Sequence, residues 1–145
     1  MSDTNATSSE LTAADFVFED LGRIGYLEAL DMQRELHAEV LAGDRPPTVL
    51  LLEHRPVITF GRRPDAKENL VAGEELLQRE GVEVCQTDRG GDITYHGPGQ
   101  LVAYPILPLN GLRVNLRQYV DWLEDVVIRT VGRFGIDAHR DECAV

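Results

Sequence analysis

Between residues 89 and 100 the chain reads Arg-Gly-Gly-Asp-Ile-Thr-Tyr-His-Gly-Pro-Gly-Gln, set between two apolar, strand-like segments, Val82 to Gln86 and Leu101 to Leu107. No other stretch constrains the fold as much. Each glycine costs roughly 0.5–1 kcal/mol relative to alanine in regular structure, so four in so short a span mark backbone that turns sharply or approaches something closely. Consecutive N–H groups in such a loop can converge on an anion or a polarised carbonyl. Two tight turns, Arg-Gly-Gly-Asp and His-Gly-Pro-Gly, would account for the glycines and the proline. They do not call for Arg, Thr, Tyr and His in between, and loops on a rigid scaffold are where binding residues concentrate.

The rest of the chain reads as scaffold for that run. Residues 1–14 are rich in Ser, Thr, Asn and Ala without periodicity, which predicts a disordered tail. Phe16 to Phe18 reads as a short strand. From Ile24 to Leu41, Ala29, Leu30, Met32, Leu36, Val40 and Leu41 recur at helical spacing, and Gly43 with Pro46-Pro47 supplies the stop. Gln33 and His37 fall on the apolar face, as hydrogen-bonded groups at the core edge. Thr48 to Leu52 is a continuous apolar run, expected as a central strand buried on both faces. Val57 to Phe60 predicts another strand, with Pro56 at the turn between the two. Residues 61–72 are a polar loop and Gly73 to Glu80 a short helix. After the glycine-rich run, Pro105 and Pro108 limit central pairing of the strand Leu101 to Leu107. Asn115 is placed to cap a last helix whose stripe includes Leu116, Tyr119, Val120, Leu123, Val127, Val131 and Phe134. Gly135 ends that helix and Ile136 begins a further expected strand. Helices flanking a mixed sheet imply an α/β (α+β) layer fold.

Composition narrows the function classes. The 145 residues are 43% hydrophobic and 27% charged, the balance of an ordinary globular domain with a real core. A formal charge of −11 excludes nucleic acid as an expected partner, because phosphate binding needs a basic footprint. No apolar run reaches the roughly 18 residues of a membrane helix, and the N-terminus lacks a signal-peptide pattern, so no membrane partner and a cytoplasmic location are expected. Arg55, Arg62, Arg63 and Lys67 gather in mid-chain, a solvated loop on charge alone, although such a patch can steer an acidic partner. Lys67 is the one lysine among 14 basic residues. Cys85 and Cys143 are expected as free thiols.

The run RGGDITYHGPGQLVAYPIL closely resembles the motif of the lipoate-biosynthesis octanoyltransferases, and EHRPVITFG at 53–61 resembles a second motif of that family. The spacing between the two agrees as well, so the resemblance covers about residues 15–140, with HGPGQ its most specific part. The related lipoate and biotin ligases share the fold, but their glycine-rich loops read differently. What the resemblance implies is a biotin/lipoate protein ligase-like fold, incomplete at the C-terminus, with residues 15–145 the N-terminal part of a single catalytic domain. The implied reaction moves octanoyl from acyl carrier protein through a cysteine thioester to a lysine on the lipoyl domains of 2-oxoacid dehydrogenases or on the glycine cleavage H protein. It needs no cofactor and no metal. Arg89, Gly90, Gly91, Asp92, Ile93, Thr94, Tyr95 and His96 would line the acyl-substrate site, with Ile93 and Tyr95 as apolar wall and Thr94 and His96 as polar contacts.

The catalytic cysteine of that family, and the lysine that lowers its pKa, lie C-terminal to the helix that ends here near Phe134, so they fall beyond Val145. Lys67 precedes the loop and does not match that lysine. Cys143 lacks the proline-cysteine-glycine context. Cys85 sits on a strand with Val82 and Val84 facing the other way; a nearby Arg89 would favour its thiolate, but burial makes an inert thiol the expectation. The alternative to a transferase is a non-catalytic acyl or carrier-protein binding module that keeps the loop. A ligase that adenylates lipoate or biotin would need a nucleotide-phosphate loop, and the sequence offers none beyond the run already assigned. Without later strands, unpaired sheet edges are expected to make the chain marginal and association-prone.

Overall fold

The computed structural model describes residues 15–141, so the expected tail at 1–14 and Cys143 lie outside the described residues. Residues 15–107 form one compact unit, and residues 108–141 belong to a second.

The first unit contains two three-stranded sheets where the sequence suggested one. The first is ordered β1-β2-β6, from β1 (Val17–Ile24), β2 (Thr48–His54) and β6 (Val102–Ile106). The second is ordered β4-β3-β5, from β3 (Val57–Phe60), β4 (Glu83–Gln86) and β5 (Ile93–His96). Each sheet is mixed: β2 runs parallel to β1 and antiparallel to β6, and β3 runs parallel to β4 and antiparallel to β5. The turn around Pro56 carries the chain from one sheet to the other.

β2 is central in its sheet, as expected, but it is not buried on both faces. Its exposure alternates, with Thr48, Leu50, Leu52 and His54 buried and the residues between them half-buried. One face meets α1 (Tyr26–Ala42), whose Ala29, Leu36 and Val40 join Ile24, Leu50, Leu52 and Ile106 in a core. Each Leu, Ile or Val among them contributes roughly 1.5–3 kcal/mol when fully buried. The helix closes at Gly43, whose N–H reaches the carbonyls of Glu39 and Val40. Gln33 lies half-buried and donates to the Ala29 carbonyl at 3.1 Å, whereas His37, expected beside it, is exposed. Ile24 ends β1 rather than starting the helix. β1 outruns the expected Phe16 to Phe18, and its register slips between Asp20 and Arg23, where the Asp20 carboxylate accepts from the Gly22 N–H at 2.9 Å.

The second sheet has its own core of Ile58, Phe60, Ala66 and Leu77, with Ile93, Leu70 and Val82 packed against it. Ala66 comes from a 3-10 turn, Ala66–Asn69, in the stretch expected as plain loop, and Leu77 from α2 (Glu74–Arg79). Pro105 lies on β6, an edge strand, where its missing N–H is tolerated.

In the second unit a one-turn α3 (Leu109–Leu112) precedes α4 (Leu116–Gly132). Asn115 caps α4 as expected and does so reciprocally: its side chain accepts from the Gln118 N–H at 2.9 Å while Gln118 Oε1 accepts from the Asn115 N–H at 3.0 Å. The strand expected from Ile136 is absent; residues 136–141 are irregular, and Arg140 returns to Glu124 and Asp125 on α4. No helix among the described residues is long and apolar enough to cross a membrane.

Candidate functional site

Residues 93–96, expected as loop, form β5 and pair with β3 from Phe60↔Ile93 to Val57↔His96. Isoleucine, threonine and tyrosine in succession are strong strand formers, and that signal was available beneath the glycines. The preceding loop lies directly on the end of β3. Gly61 N–H donates to the Asp92 carbonyl at 2.7 Å and Arg62 N–H to the Arg89 carbonyl at 3.0 Å. Gly61 is required for this approach, since a β-carbon there would collide with the Gly91 carbonyl.

Arg89 fixes the same junction from the other side. Its Nη2 donates to the carbonyl of Thr59 at 2.8 Å, to the Thr59 hydroxyl at 2.9 Å and to the Thr94 hydroxyl at 3.0 Å, while Nη1 reaches the Gly90 carbonyl at 2.9 Å. Thr59 is fully buried. A planar guanidinium with fixed donors suits this bracing of strand, loop and next strand. Asp92 turns to the neighbouring loop: Asn69 Nδ2 donates to its Oδ2 at 2.7 Å and Arg63 lies at 3.5 Å, while Oδ1 is buried without a partner. Ile93 packs into the second core, and Tyr95 is 55% exposed.

His96, at the end of β5, enters a cluster of rings that the sequence reading did not assemble. At its centre is His54 at the end of β2, with an exposure of 0%. The His96 ring meets it edge-on at 5.8 Å between centroids, Tyr26 lies at 5.3 Å and Tyr104 at 5.9 Å. The Tyr104 hydroxyl is 2.8 Å from His54 Nε2, and His54 Nδ1 is buried. Burial holds the His54 pKa below its ordinary value; the Ile24 carbonyl opposes this and the neighbouring His96 adds to it. Burial pushes the Tyr104 phenol up to about 12, so the hydroxyl keeps its proton, and Tyr26 is also raised by burial against the opposing charge of Arg89. The result is a neutral, hydrogen-bonding floor at the point where the two sheets meet. The alternation Leu50, Leu52, His54 on β2 was the signal that could have placed His54 inward.

Cys85 is buried on β4, and its thiol is pushed up by burial and then by Glu83. Arg89, expected to favour the thiolate, is held on Thr59 and Thr94, and burial and Glu83 are what set the direction of the shift. An apolar setting of this kind suits an inert thiol.

An α/β unit with mixed sheets, a helix on one face and a glycine-rich loop laid across a strand end defines the class of fold. Protein Ta0514 of T. acidophilum, solved in two structures, one with bound lipoic acid, has that fold: they superpose on this chain at TM-scores of 0.65 and 0.61, each at 14% identity over 90% of this chain and 54% of theirs. The chain belongs to the lipoyl protein ligase A/B catalytic domain family, whose model matches residues 25–144. It is 46% identical to the octanoyltransferase of Acidobacterium capsulatum over 127 residues, covering 83% of this chain and 51% of that protein. With the octanoyltransferase of Solibacter usitatus it shares 49% identity over 120 residues, 83% of this chain and 54% of that one. The chain thus spans about half the length of the curated relatives it matches.

Proposed function

We propose that the chain carries the acyl-binding half of an octanoyltransferase site, acting in the cytoplasm on octanoyl-acyl carrier protein and on a lysine of lipoyl domains or of the glycine cleavage H protein. The observation that supports this best is the docking of the 89–96 segment. Arg89, Gly90, Gly91, Asp92, Ile93, Thr94, Tyr95 and His96 run as one loop and strand, braced on Thr59 and Gly61 and ending against the buried His54 and Tyr104.

The chemistry divides between what these residues do and what they leave to others. Acyl transfer needs a nucleophile, a base or cation beside it, donors for the developing oxyanion and an apolar wall for the tail. The loop is held in place through its Arg89 and Asp92 carbonyls, and the Tyr26, His54, Tyr104 cluster offers an uncharged boundary. Arg89 serves by holding the loop. The family cysteine and lysine have no counterpart at Cys85 or Lys67, so covalent chemistry is assigned to neither.

The test is a titration of the isotopically labelled chain with octanoyl-acyl carrier protein followed by amide NMR, with intact-mass analysis alongside. Shifts centred on residues 89–96 without a stable octanoyl adduct are expected. No shift in that segment would sink the acyl-site reading, and an octanoyl adduct lost in Cys85→Ser or Cys143→Ser would relocate the nucleophile into this chain.

A further inference from the structure

His96 Nδ1 lies 2.6 Å from the side-chain oxygen of Gln100, four residues on, and the turn between them is built to keep it there. The Gln100 N–H donates to the Gly97 carbonyl at 3.2 Å. Gly99 takes φ +89, a left-handed conformation that glycine alone adopts at little cost, and its N–H donates to the Glu53 carboxylate at 3.2 Å. Arg23 holds the same carboxylate at 3.2 Å. The Gly99 N–H first, and Arg23 second, lower the Glu53 pKa, so the anchor stays charged. His54 stands edge-on against the imidazole and limits its rotation.

A separation of 2.6 Å is short for an N–H···O bond and shorter still for two nitrogens, which places the oxygen of the amide, not its nitrogen, against the ring. An amide oxygen only accepts, so Nδ1 carries the hydrogen and Nε2 keeps its lone pair. We propose that Gln100 is a positioning residue that holds neutral His96 in the Nδ1–H tautomer, leaving Nε2 as the ring's acceptor for the thiol or amine proton of acyl transfer. The use made of Nε2 rests on the acyl-site reading above; the tautomer does not. Neutral imidazole in water favours hydrogen on Nε2, so the opposite form is a signature of this one hydrogen bond. Which ring nitrogen is protonated is set by the partner of the other, and an acceptor facing a reacting S–H or N–H is what a general base or orienting histidine supplies.

Long-range proton–nitrogen correlation spectra of the chain with labelled histidine, recorded above the imidazole titration range, read the tautomer directly. His96 is assigned by its loss in His96→Gln. The expected wild-type pattern is a protonated Nδ1 and an unprotonated Nε2. Gln100→Ala should move His96 to the Nε2–H form, whereas Gln100→Glu, which keeps an acceptor oxygen, should retain Nδ1–H. Gln100→Met keeps bulk without a strong acceptor and replaces the alanine variant where that one loosens the turn. A wild-type His96 carrying its hydrogen on Nε2 overturns the proposal, and so does a folded Gln100→Met that keeps it on Nδ1. Failure of octanoyl-acyl carrier protein to shift residues 89–96 would count against the acyl site and leave the tautomer standing.

Discussion

Gly61 shows how much one missing side chain can decide. Its place at the end of β3 lets the loop bearing Gly90 and Gly91 lie against the strand, and the Asp92 carbonyl accepts from its N–H at 2.7 Å. A β-carbon there meets backbone, which cannot swing aside as a side-chain tip can. Gly61→Ala is therefore expected to cost about 1–3 kcal/mol through overpacking and to detach the loop, visible as a lower urea midpoint and lost exchange protection at Gly61 and Arg62. Unchanged protection at both amides would contradict the close approach. The glycine pattern announced such a junction, but not its partner: nothing in the residues 89–91 says that they fold back on residue 61. Arg89 is a similar case. Its donors reach Thr59, Thr94 and Gly90, oxygens that only the folded backbone brings together.

Among the elements, α4 was the plainest to read because both its stripe and its cap are local. The reciprocal Asn115–Gln118 pair predicts that Asn115→Ala loses about 1 kcal/mol. Chemical denaturation followed by helical circular dichroism checks this, and no change in the transition of the helical signal would show that the cap is idle. Elements whose signals are local were legible in the sequence: α1 with its stop at Gly43, α2, the cap of α4, and the strands at 57–60 and 102–106. Some of the misses have long-range causes. The apolar run at 48–52 cannot reveal that its outward face is only half-covered, since that depends on what packs there. β5 was hidden by its glycine flanks although its own residues favour a strand. A strand is expected from Ile136, but Arg140 draws the segment to α4 through Glu124 and Asp125. His54, the centre of the ring cluster, is two residues beyond the apolar run Thr48 to Leu52.

For the molecule as a whole the buried, neutral His54 makes stability depend on pH. Its folded pKa lies below the ordinary value of 6.5, so the unfolded chain takes up the proton first as pH falls. The contribution is fully present above about 6.5 and is lost as pH falls from there through the lower, folded value. The formal charge of −11 works against this, because acid also relieves repulsion among carboxylates. The comparison that isolates the histidine is the urea midpoint of wild type and His54→Phe across the range from about pH 8 to about pH 5. Wild type should lose more stability over that range than the variant; parallel curves would mean that the ring is protonated in place.

The Gly97–Gln100 turn has one foot in each sheet. β5 ties it to β3 and the second core, while the Gly99 N–H ties it through Glu53 to β2 and the first. Local opening of a protein proceeds in cooperative blocks, each with its own free energy. A turn stitched to two such blocks is dismantled when either one opens, so it is no more stable than the weaker sheet. The turn is thus a fuse: whichever half of the unit yields first, the geometry around His96 goes with it.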